Sequence, residues 1–197
     1  HVAAAVYSSG HTELFEREFI AFHVSGGTTE ALLVRPDEEK LLHIDIVGRT
    51  LDLNAGQAVD RVGVAMGLSF PAGAELEKAA LESRKTFKPK PCVKGTDCCL
   101  SGIENKCLDM IKSGESKCDV ALFCLDSVAA ALEKMTENIL KKYGRLPLVF
   151  AGGVMSNSII RRRFTEEFGA YFAEPAFSAD NAAGTAYLTY LRERKNA

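Results

Sequence analysis

The sequence lacks an excess of charge of either sign, since its 24 lysines and arginines nearly balance 26 aspartates and glutamates over 197 residues. Nucleic-acid-binding domains usually carry a basic face. A nucleic-acid partner would therefore have to be held by local patches, for which residues 85–94 and 161–163 are the candidates, or by other parts of the protein. Short runs of like charge are usually solvated surface, and we favour that interpretation for both segments.

Long apolar runs are also missing. No stretch of 18 apolar residues predicts a transmembrane helix, and no charged segment followed by an apolar one predicts a signal peptide. The sequence starts at His1 rather than methionine and enters core-like residues at once, so we expect a piece of a longer protein. A cytoplasmic protein with no membrane partner is the expectation that follows.

The cysteines show no metal-binding or redox spacing, because none of the six forms a C-x-x-C pair. We expect reduced structural thiols, as is usual inside cells. The histidines at positions 11, 23 and 43 lack a paired serine or cysteine motif, so a hydrolytic triad is not predicted. The six cysteines are Cys92, Cys98, Cys99, Cys107, Cys118 and Cys124.

Hydrophobic periodicity predicts an α/β fold with a mixed sheet flanked by helices. Strand-like runs at residues 19–24, 31–34 and 41–47 predict an antiparallel meander, with a turn at 36–39. From residue 55 onward the apolar spacing becomes helical. Helices are predicted at 55–66, 74–81, 119–143, 157–168 and 180–193, strands at 146–151 and 171–172, and a loop at 84–97.

Two glycine-containing turns could bind an anionic or flat ligand. In the loop at residues 25–29, amide and hydroxyl groups could cradle a phosphate, although an ordinary hairpin turn also needs glycine and explains this loop better when it is taken alone. Gly152 and Gly153 follow a buried strand and precede a helix, which is where nucleotides bind in open α/β sheets. Asn157 could bond the same ligand or simply cap its helix.

Two carboxylates and one turn are further candidates. Asp60 lies on the helix face opposite the apolar stripe and could accept ribose hydroxyls. The turn at residues 71–73 could bring backbone near the same ligand. Asp180 begins the last helix, beside small residues at 182–184 that predict close packing. It could bind a metal, but helix capping is the commoner role of such an aspartate.

Taken in order, five segments resemble the family of tRNA adenosine threonylcarbamoyltransferases, the TsaD-like family. They are HVSGGTTE (23–30), GRTLDLNAGQAVDRVGVAMGLSFPAG (48–73), CLSGIEN (99–105), LVFAGGVMSNSIIRRRF (148–164) and SADNAAGTAYL (178–188). The similarity covers essentially the whole chain. It implies an actin/Hsp70/sugar-kinase fold of two ribonuclease-H-like lobes, in which residues 1–197 would be the second, C-terminal lobe.

The resemblance implies transfer of a threonylcarbamoyl group from threonylcarbamoyl-AMP to N6 of the tRNA adenosine beside the anticodon, with ATP or threonylcarbamoyl-AMP as the bound ligand. By position, Asp60, Gly73 and Asn157 match residues that hold the nucleoside. His1 matches the second histidine of an H-x-x-x-H metal pair and Asp180 matches its aspartate. The divalent metal, iron or zinc, would polarise the carbonyl group. The phosphate-side loop would be formed by Val24, Ser25, Gly26, Gly27 and Thr28.

The implied partners are tRNA, a paralogous actin-like subunit and a small ATPase, and a homodimer is a further expectation. Four positions depart from the family pattern: Thr28 replaces a large polar residue, Leu53 an acid, Gln57 a glutamate and Glu104 a lysine. Two alternatives therefore stay open, a non-catalytic paralogue that acts as an assembly partner and an ATP-dependent small-molecule kinase or carbamoyltransferase. We expect the isolated lobe to be inactive, and its apolar face to favour self-association.

Overall fold

A computed structural model of the chain describes residues 1–177 and 182–196. The strands are β1 (Phe19–Val24), β2 (Thr29–Asp37), β3 (Leu41–Arg49), β4 (Cys92–Lys94), β5 (Asp97–Cys99), β6 (Leu148–Ala151) and β7 (Tyr171–Phe172). The helices are α1 (Val2–Ser8), α2 (Ala55–Ala65), α3 (Gly73–Ala80), α4 (Ser101–Lys112), α5 (Lys117–Tyr143), α6 (Ser158–Phe168) and α7 (Ala182–Asn196). Single 3₁₀ turns cover Thr12–Glu16, Gly153–Ser156 and Pro175–Phe177.

The main sheet of the described residues is mixed and has the strand order β3-β2-β1-β6-β7. The first three strands form the predicted antiparallel meander. β6 then pairs in parallel with β1, and β7 in parallel with β6. Because β1 and β6 run in the same direction, their carboxyl ends meet at one edge of the sheet, where ligands bind in open α/β sheets.

Helices cover both faces of this sheet because side chains alternate along each strand. One face packs Ile20, Phe22 and Phe150 against the helices from α2 to α6. The other face packs Phe19 and Val149 against α1 and α7. Burying one such phenylalanine contributes about 2–3 kcal/mol of transfer free energy. The predicted mixed sheet flanked by helices is confirmed.

The longest helix, α5, forms the centre of the larger core. Its start is capped by Ser116, whose hydroxyl accepts from the Asp119 amide at 3.2 Å, and it ends at Gly144, where φ is +90°. None of the helices in the described residues is long and apolar enough to cross a membrane.

Two local predictions were wrong. The loop predicted at 84–97 contains the β4–β5 hairpin, whose strands are too short to show a period and whose two-residue turn uses Gly95 at φ +64°.

The turn predicted at 36–39 begins later, because β2 continues through Pro36. At Pro36 the strand β2 has β3 as its neighbour but no longer β1, whose pairing with β2 extends only to Val34, and proline is tolerated where a strand lies at an edge.

Candidate functional site

A cavity of about 350 Å³ opens where the carboxyl ends of β1 and β6 meet the N-terminal ends of α2, α3 and α6. Five of the predicted site residues, which come from distant parts of the sequence, line this one cavity. They are Gly26, Asp60, Gly73, Gly153 and Asn157. The rest of the lining is formed by Gly56, Val59, Pro71, Ala74, Glu77, Leu125, Val154 and Ser156.

Two glycines allow the segments of the cavity to approach each other. Gly152 has φ +99°, and a Cβ atom there would lie 2.2 Å from the Val24 carbonyl oxygen. A Cβ on Gly56 would lie 2.6 Å from the Gly26 nitrogen, and the Gly56 amide donates to the Ser25 carbonyl at 3.1 Å. Gly152 and Val24 therefore support the cavity from behind, where a side chain would not fit.

Two other glycines face open space. A Cβ atom on Gly26 or Gly153 would meet no atom of the described residues within 4 Å. A Cβ on Gly73 would touch only Val59, at 4.0 Å. The cavity wall is thus main chain at these points, which suits a flat ring that stacks directly on the backbone.

The loop at residues 25–28 has the geometry of an ordinary tight turn. The Ser25 hydroxyl accepts from the amides of Gly27 at 3.3 Å and Thr28 at 3.1 Å, and the Ser25 amide donates to the Thr28 carbonyl at 2.7 Å. Within the described part of the chain, Gly26 is the loop residue that lines the cavity. The amides of Gly27 and Thr28 are used inside the turn, so they are not free to hold a phosphate in this conformation.

Asp60 joins α2 to the turn that precedes α3. Its Oδ1 accepts from the Ala72 amide at 2.8 Å, just after the cis Phe70–Pro71 peptide bond. This contact joins residues 12 positions apart and has no signature in the local pattern of residues. Oδ2 is then the Asp60 atom that could accept from a ligand.

Asn157 does cap its helix, which is one of its two predicted roles. Its Oδ1 accepts from the amides of Ile159 at 3.1 Å and Ile160 at 3.2 Å, an arrangement that stabilises a helix by about 1 kcal/mol. The side-chain NH₂ group of Asn157 is the part that could donate to a ligand.

Glu77 is a cavity residue that the sequence analysis missed. Its Oε1 accepts from the amide of Ser158 at 2.8 Å and from the Ser158 hydroxyl, so it joins α3 to the start of α6. It lies four residues after Gly73 on the same helix, and the i, i+4 rule could have placed both on one face. With Asp60 it gives the lining two carboxylates, and the described lining residues include no lysine, arginine or histidine.

His1 lies elsewhere, beside a cavity of about 300 Å³ on the other face of the sheet. Its ring stacks on that of His23 with a centroid distance of 4.6 Å. Burial lowers the pKa of His23. Glu30 and Gly184 line the same cavity. A Cβ atom on Gly184 would lie 2.8 Å from the Ala4 nitrogen, which confirms the close packing predicted at residues 182–184.

The predicted metal site cannot be completed from the described residues. Asp180 lies outside them. Among residues 1–177 and 182–196, no group of three histidine, cysteine, aspartate or glutamate side chains could hold a metal ion. These residues alone do not fit a metal centre.

Known proteins similar to this chain include HypF, whose full-length crystal structure in the phosphate- and nucleotide-bound form aligns with a TM-score of 0.74 at 14% identity, over 96% of this chain and 42% of that one. Component A of the Acidaminococcus fermentans (R)-2-hydroxyglutaryl-CoA dehydratase aligns with a TM-score of 0.61 at 16% identity, over 100% of this chain and 69% of that one. At such low identity these structures show the fold alone. That fold is the actin/Hsp70/sugar-kinase type.

Curated relatives share more of the sequence. The tRNA N6-adenosine threonylcarbamoyltransferase of Sulfurihydrogenibium sp. (strain YO3AOP1) is 32% identical over an alignment of 200 positions that covers 98% of this chain and 58% of the relative. The enzyme of the same name from Dictyoglomus turgidum is 36% identical over an alignment of 185 positions that covers 87% of this chain and 54% of the relative. The chain thus spans just over half the length of these relatives.

A family model described as "TsaD: tRNA N6-adenosine threonylcarbamoyltransferase" matches residues 1–187. Nearly all of the chain is covered by this match, and the curated relatives agree with it. The chain belongs to the family of tRNA N6-adenosine threonylcarbamoyltransferases.

Proposed function

We propose that the complete protein transfers a threonylcarbamoyl group from threonylcarbamoyl-AMP to N6 of the tRNA adenosine adjacent to the anticodon. Residues 1–197 would form its second lobe and bind the adenosine part of the intermediate. The observation that carries this proposal is the convergence of Gly26, Asp60, Gly73, Gly153 and Asn157 on one cavity.

The chemistry of the lining supports a nucleoside. Two carboxylates without a neighbouring cation favour hydroxyl and amino groups over phosphates, because a phosphate would be repelled. Asp60 Oδ2 would accept from the ribose hydroxyls and the Asn157 NH₂ group would donate to a ring nitrogen. The bare backbone at Gly153 would contact the flat base.

The phosphate of the intermediate would extend toward the helix N-termini. Residues at the starts of α2, α3 and α6 line this cavity, and a helix N-terminus carries a partial positive charge of about half an elementary charge. The first amides of α6 are bonded to Glu77 and Asn157, and those of α2 to Thr29 and Ser25. The start of α3 at Gly73 is therefore the end that would offset part of the phosphate charge.

The reaction needs no nucleophilic side chain from this lobe. The N6 amine would attack the carbamoyl carbonyl carbon, AMP would leave with the electron pair of the broken bond, and the amine would lose a proton. The lobe would contribute by fixing the AMP part of the intermediate, since positioning of reactants accounts for a large share of such rate enhancements.

His1 and Asp180 are our proposed ligands for the divalent metal, iron or zinc. When bound, the metal would supply Lewis-acid polarisation of the carbonyl. Further ligands would have to come from outside the described residues. Metal analysis of the full-length protein with and without His1→Ala should show a loss of bound metal in the variant, and equal metal content would contradict this assignment.

The partners proposed for the complete protein are tRNA, a paralogous actin-like subunit and a small ATPase, on the strength of family membership. The local basic patches at residues 85–94 and 161–163 could contact RNA through their other basic side chains, whereas Lys85 and Arg163 pair with carboxylates. A homodimer is a further proposal.

Nucleotide binding by the full-length protein tests the central proposal. We expect Asp60→Asn to lower the affinity for AMP at least about tenfold, because the amide removes the charge but keeps an acceptor for the Ala72 amide. Glu104→Gln, which lies outside the cavity, is the matched control and should bind as the unchanged protein does. If the unchanged protein binds neither AMP nor ATP, the proposal fails.

A non-catalytic assembly partner is a second candidate, and a specific observation favours it. Three departures from the family pattern have become structural contacts. Leu53 is buried, Gln57 Oε1 accepts from the Asn54 amide at 3.2 Å, and Glu104 pairs with Arg61 at 3.1 Å. Incubating the full-length protein with threonylcarbamoyl-AMP and unmodified tRNA separates the candidates, since nucleotide binding without tRNA modification would support the second.

A further inference from the structure

The β4–β5 hairpin places two cysteines opposite each other. Cys92 pairs with Cys99 in the antiparallel register, so their side chains lie on the same face. Residues directly opposite in such a pair have Cα atoms about 4.5–5.5 Å apart. Disulfides form at Cα separations of about 4.4–6.8 Å. The backbone of the hairpin therefore already has the spacing that a disulfide requires.

These two thiols are more accessible than the three buried ones. Cys92 is exposed and Cys99 is half-buried, as is Cys118, whereas Cys98, Cys107 and Cys124 are buried. Burial raises the pKa of Cys98 to about 12, which keeps that thiol protonated and unreactive. Burial and the adjacent Cys92 thiol also raise the pKa of Cys99. Cys92, the more exposed of the pair, is the thiol that would react first.

Cys92 and Cys99 line a cavity of about 220 Å³ whose wall also contains a hydroxyl group without a hydrogen-bond partner among the described residues. Ser127 lines this cavity with Cys92 and Cys99. Ser127 is only 6% exposed, and its Oγ has no hydrogen-bond partner in the described part of the chain. An unpaired buried polar group is unfavourable, and the Ser127 hydroxyl adds such a group to the lining of this cavity.

The charges around this cavity indicate which sign of ligand it would favour. Lys90 and Lys106 line it and are exposed, and no aspartate or glutamate is among the described lining residues. An anionic molecule would be attracted to the opening. The cavity of about 350 Å³ described above, which is lined by Gly26, Gly73 and Gly153, is called the glycine-lined cavity. The cavity beside the two cysteines is separate from it, since the two share no lining residue.

We propose that Cys92 and Cys99 form a reversible disulfide by exchange with a small anionic disulfide that enters this cavity. The Cys92 thiolate attacks one sulfur of the small disulfide and expels the first thiolate. The Cys99 thiolate then attacks Sγ of Cys92 and expels the second. The two protons lost by the cysteines are taken up by the two released thiolates, so atoms and electrons balance.

Oxidised glutathione and the neutral 2-hydroxyethyl disulfide are the two probes, applied to the reduced chain. Mass spectrometry should show a loss of about 2 Da and a cross-linked peptide that joins Cys92 to Cys99. Cys118→Ser is the matched control and should still form this link. Cys92→Ser should not, and circular dichroism of that variant checks that it remains folded.

The role of the cavity is tested by the rates. For each reagent, the rate of reaction with the protein is divided by its rate with a free model thiol. This ratio should be about fivefold higher for oxidised glutathione than for 2-hydroxyethyl disulfide. The double substitution Lys90→Gln and Lys106→Gln should make the two ratios equal. Equal relative rates would overturn the role of the cavity. Accumulation of a mixed disulfide at Cys92 without closure, or a link to another cysteine, would overturn the proposal as a whole.

Discussion

Two cavities lie near the carboxyl end of β1 on opposite faces of the sheet, and they are built differently. The glycine-lined cavity has main-chain walls at Gly26 and Gly153, and the strands behind it meet at Gly152. The cavity of about 300 Å³ on the other face, called here the histidine-lined cavity, depends on the side chains of His1 and His23. The walls of the first cavity are set by backbone positions, whereas those of the second are set by two side chains. The substitutions below test how the first cavity is built and supported.

The largest expected effect is that of Gly152→Ala. The new Cβ would lie 2.2 Å from the Val24 carbonyl oxygen at a backbone φ of +99°. We expect the free energy of unfolding to fall by more than about 3 kcal/mol, because β1 and β6 must separate. Urea denaturation measures the loss.

Gly144→Ala is the matched control for this substitution. Its φ is +90°, but a Cβ there would meet no atom of the described residues within 4 Å. The alanine should introduce only backbone strain, which costs about 1–3 kcal/mol of stability. Equal losses in the two variants would show that the contact between β1 and β6 contributes nothing beyond backbone conformation.

Arg163→Met tests whether side chains also support the main-chain cavity. The guanidinium of Arg163 contacts both oxygens of Glu133 at 2.7 Å and Asp126 at 3.0 Å, and so holds α6 on α5. Removing it leaves two carboxylates that are mostly buried. We expect a loss of about 2 kcal/mol at pH 7, less than for a fully buried pair because Arg163 is partly exposed.

The pH dependence of this loss has a definite sign. Burial raises the pKa of Asp126 and of Glu133, so the stability linked to these groups is present at low pH and is lost as pH rises through the raised pKa. The deficit of Arg163→Met should therefore shrink as pH falls toward about 4. Arg162→Met, on the exposed side of α6, is the control. A deficit independent of pH would contradict the charge explanation.

Gly153→Val should affect binding rather than folding. Its Cβ would enter open space and the side chain would occupy the cavity. We expect AMP affinity of the full-length protein to fall at least about tenfold, or 1.4 kcal/mol, with little change in Tm. Gly27→Val, which adds the same volume beside the cavity, should bind AMP normally. Unchanged binding in Gly153→Val would place the nucleotide elsewhere.

The smallest effect is expected for Glu104→Gln. Its carboxylate pairs with Arg61 at 3.1 Å, but the Arg61 side chain is 57% exposed, and exposed ion pairs contribute about 0.5 kcal/mol. Thermal unfolding at low and high salt measures this. A loss above about 1 kcal/mol would show that the departure from the family pattern at this position is a structural anchor.

The sequence predicted those parts of the fold that depend on local pattern. The meander, α5 and the strand before Gly152 follow from apolar periodicity and from glycine. The contact of Asp60 with Ala72 and that of Glu77 with Ser158 could not be predicted, because each joins segments whose separation in space is set by the packing of other elements. The β4–β5 hairpin was missed for a different reason, since strands of three residues carry no measurable period.

The glycine-lined cavity draws on residues from Gly26 to Asn157, and this long span along the chain affects its thermodynamics. No partly unfolded form that has released α6 or the meander retains the complete binding surface. A ligand held there would bind the native state alone, and at a hundredfold excess over Kd it would raise the free energy of global unfolding by about 2.7 kcal/mol. Such a ligand would slow hydrogen exchange most at amides that open only when the whole domain unfolds.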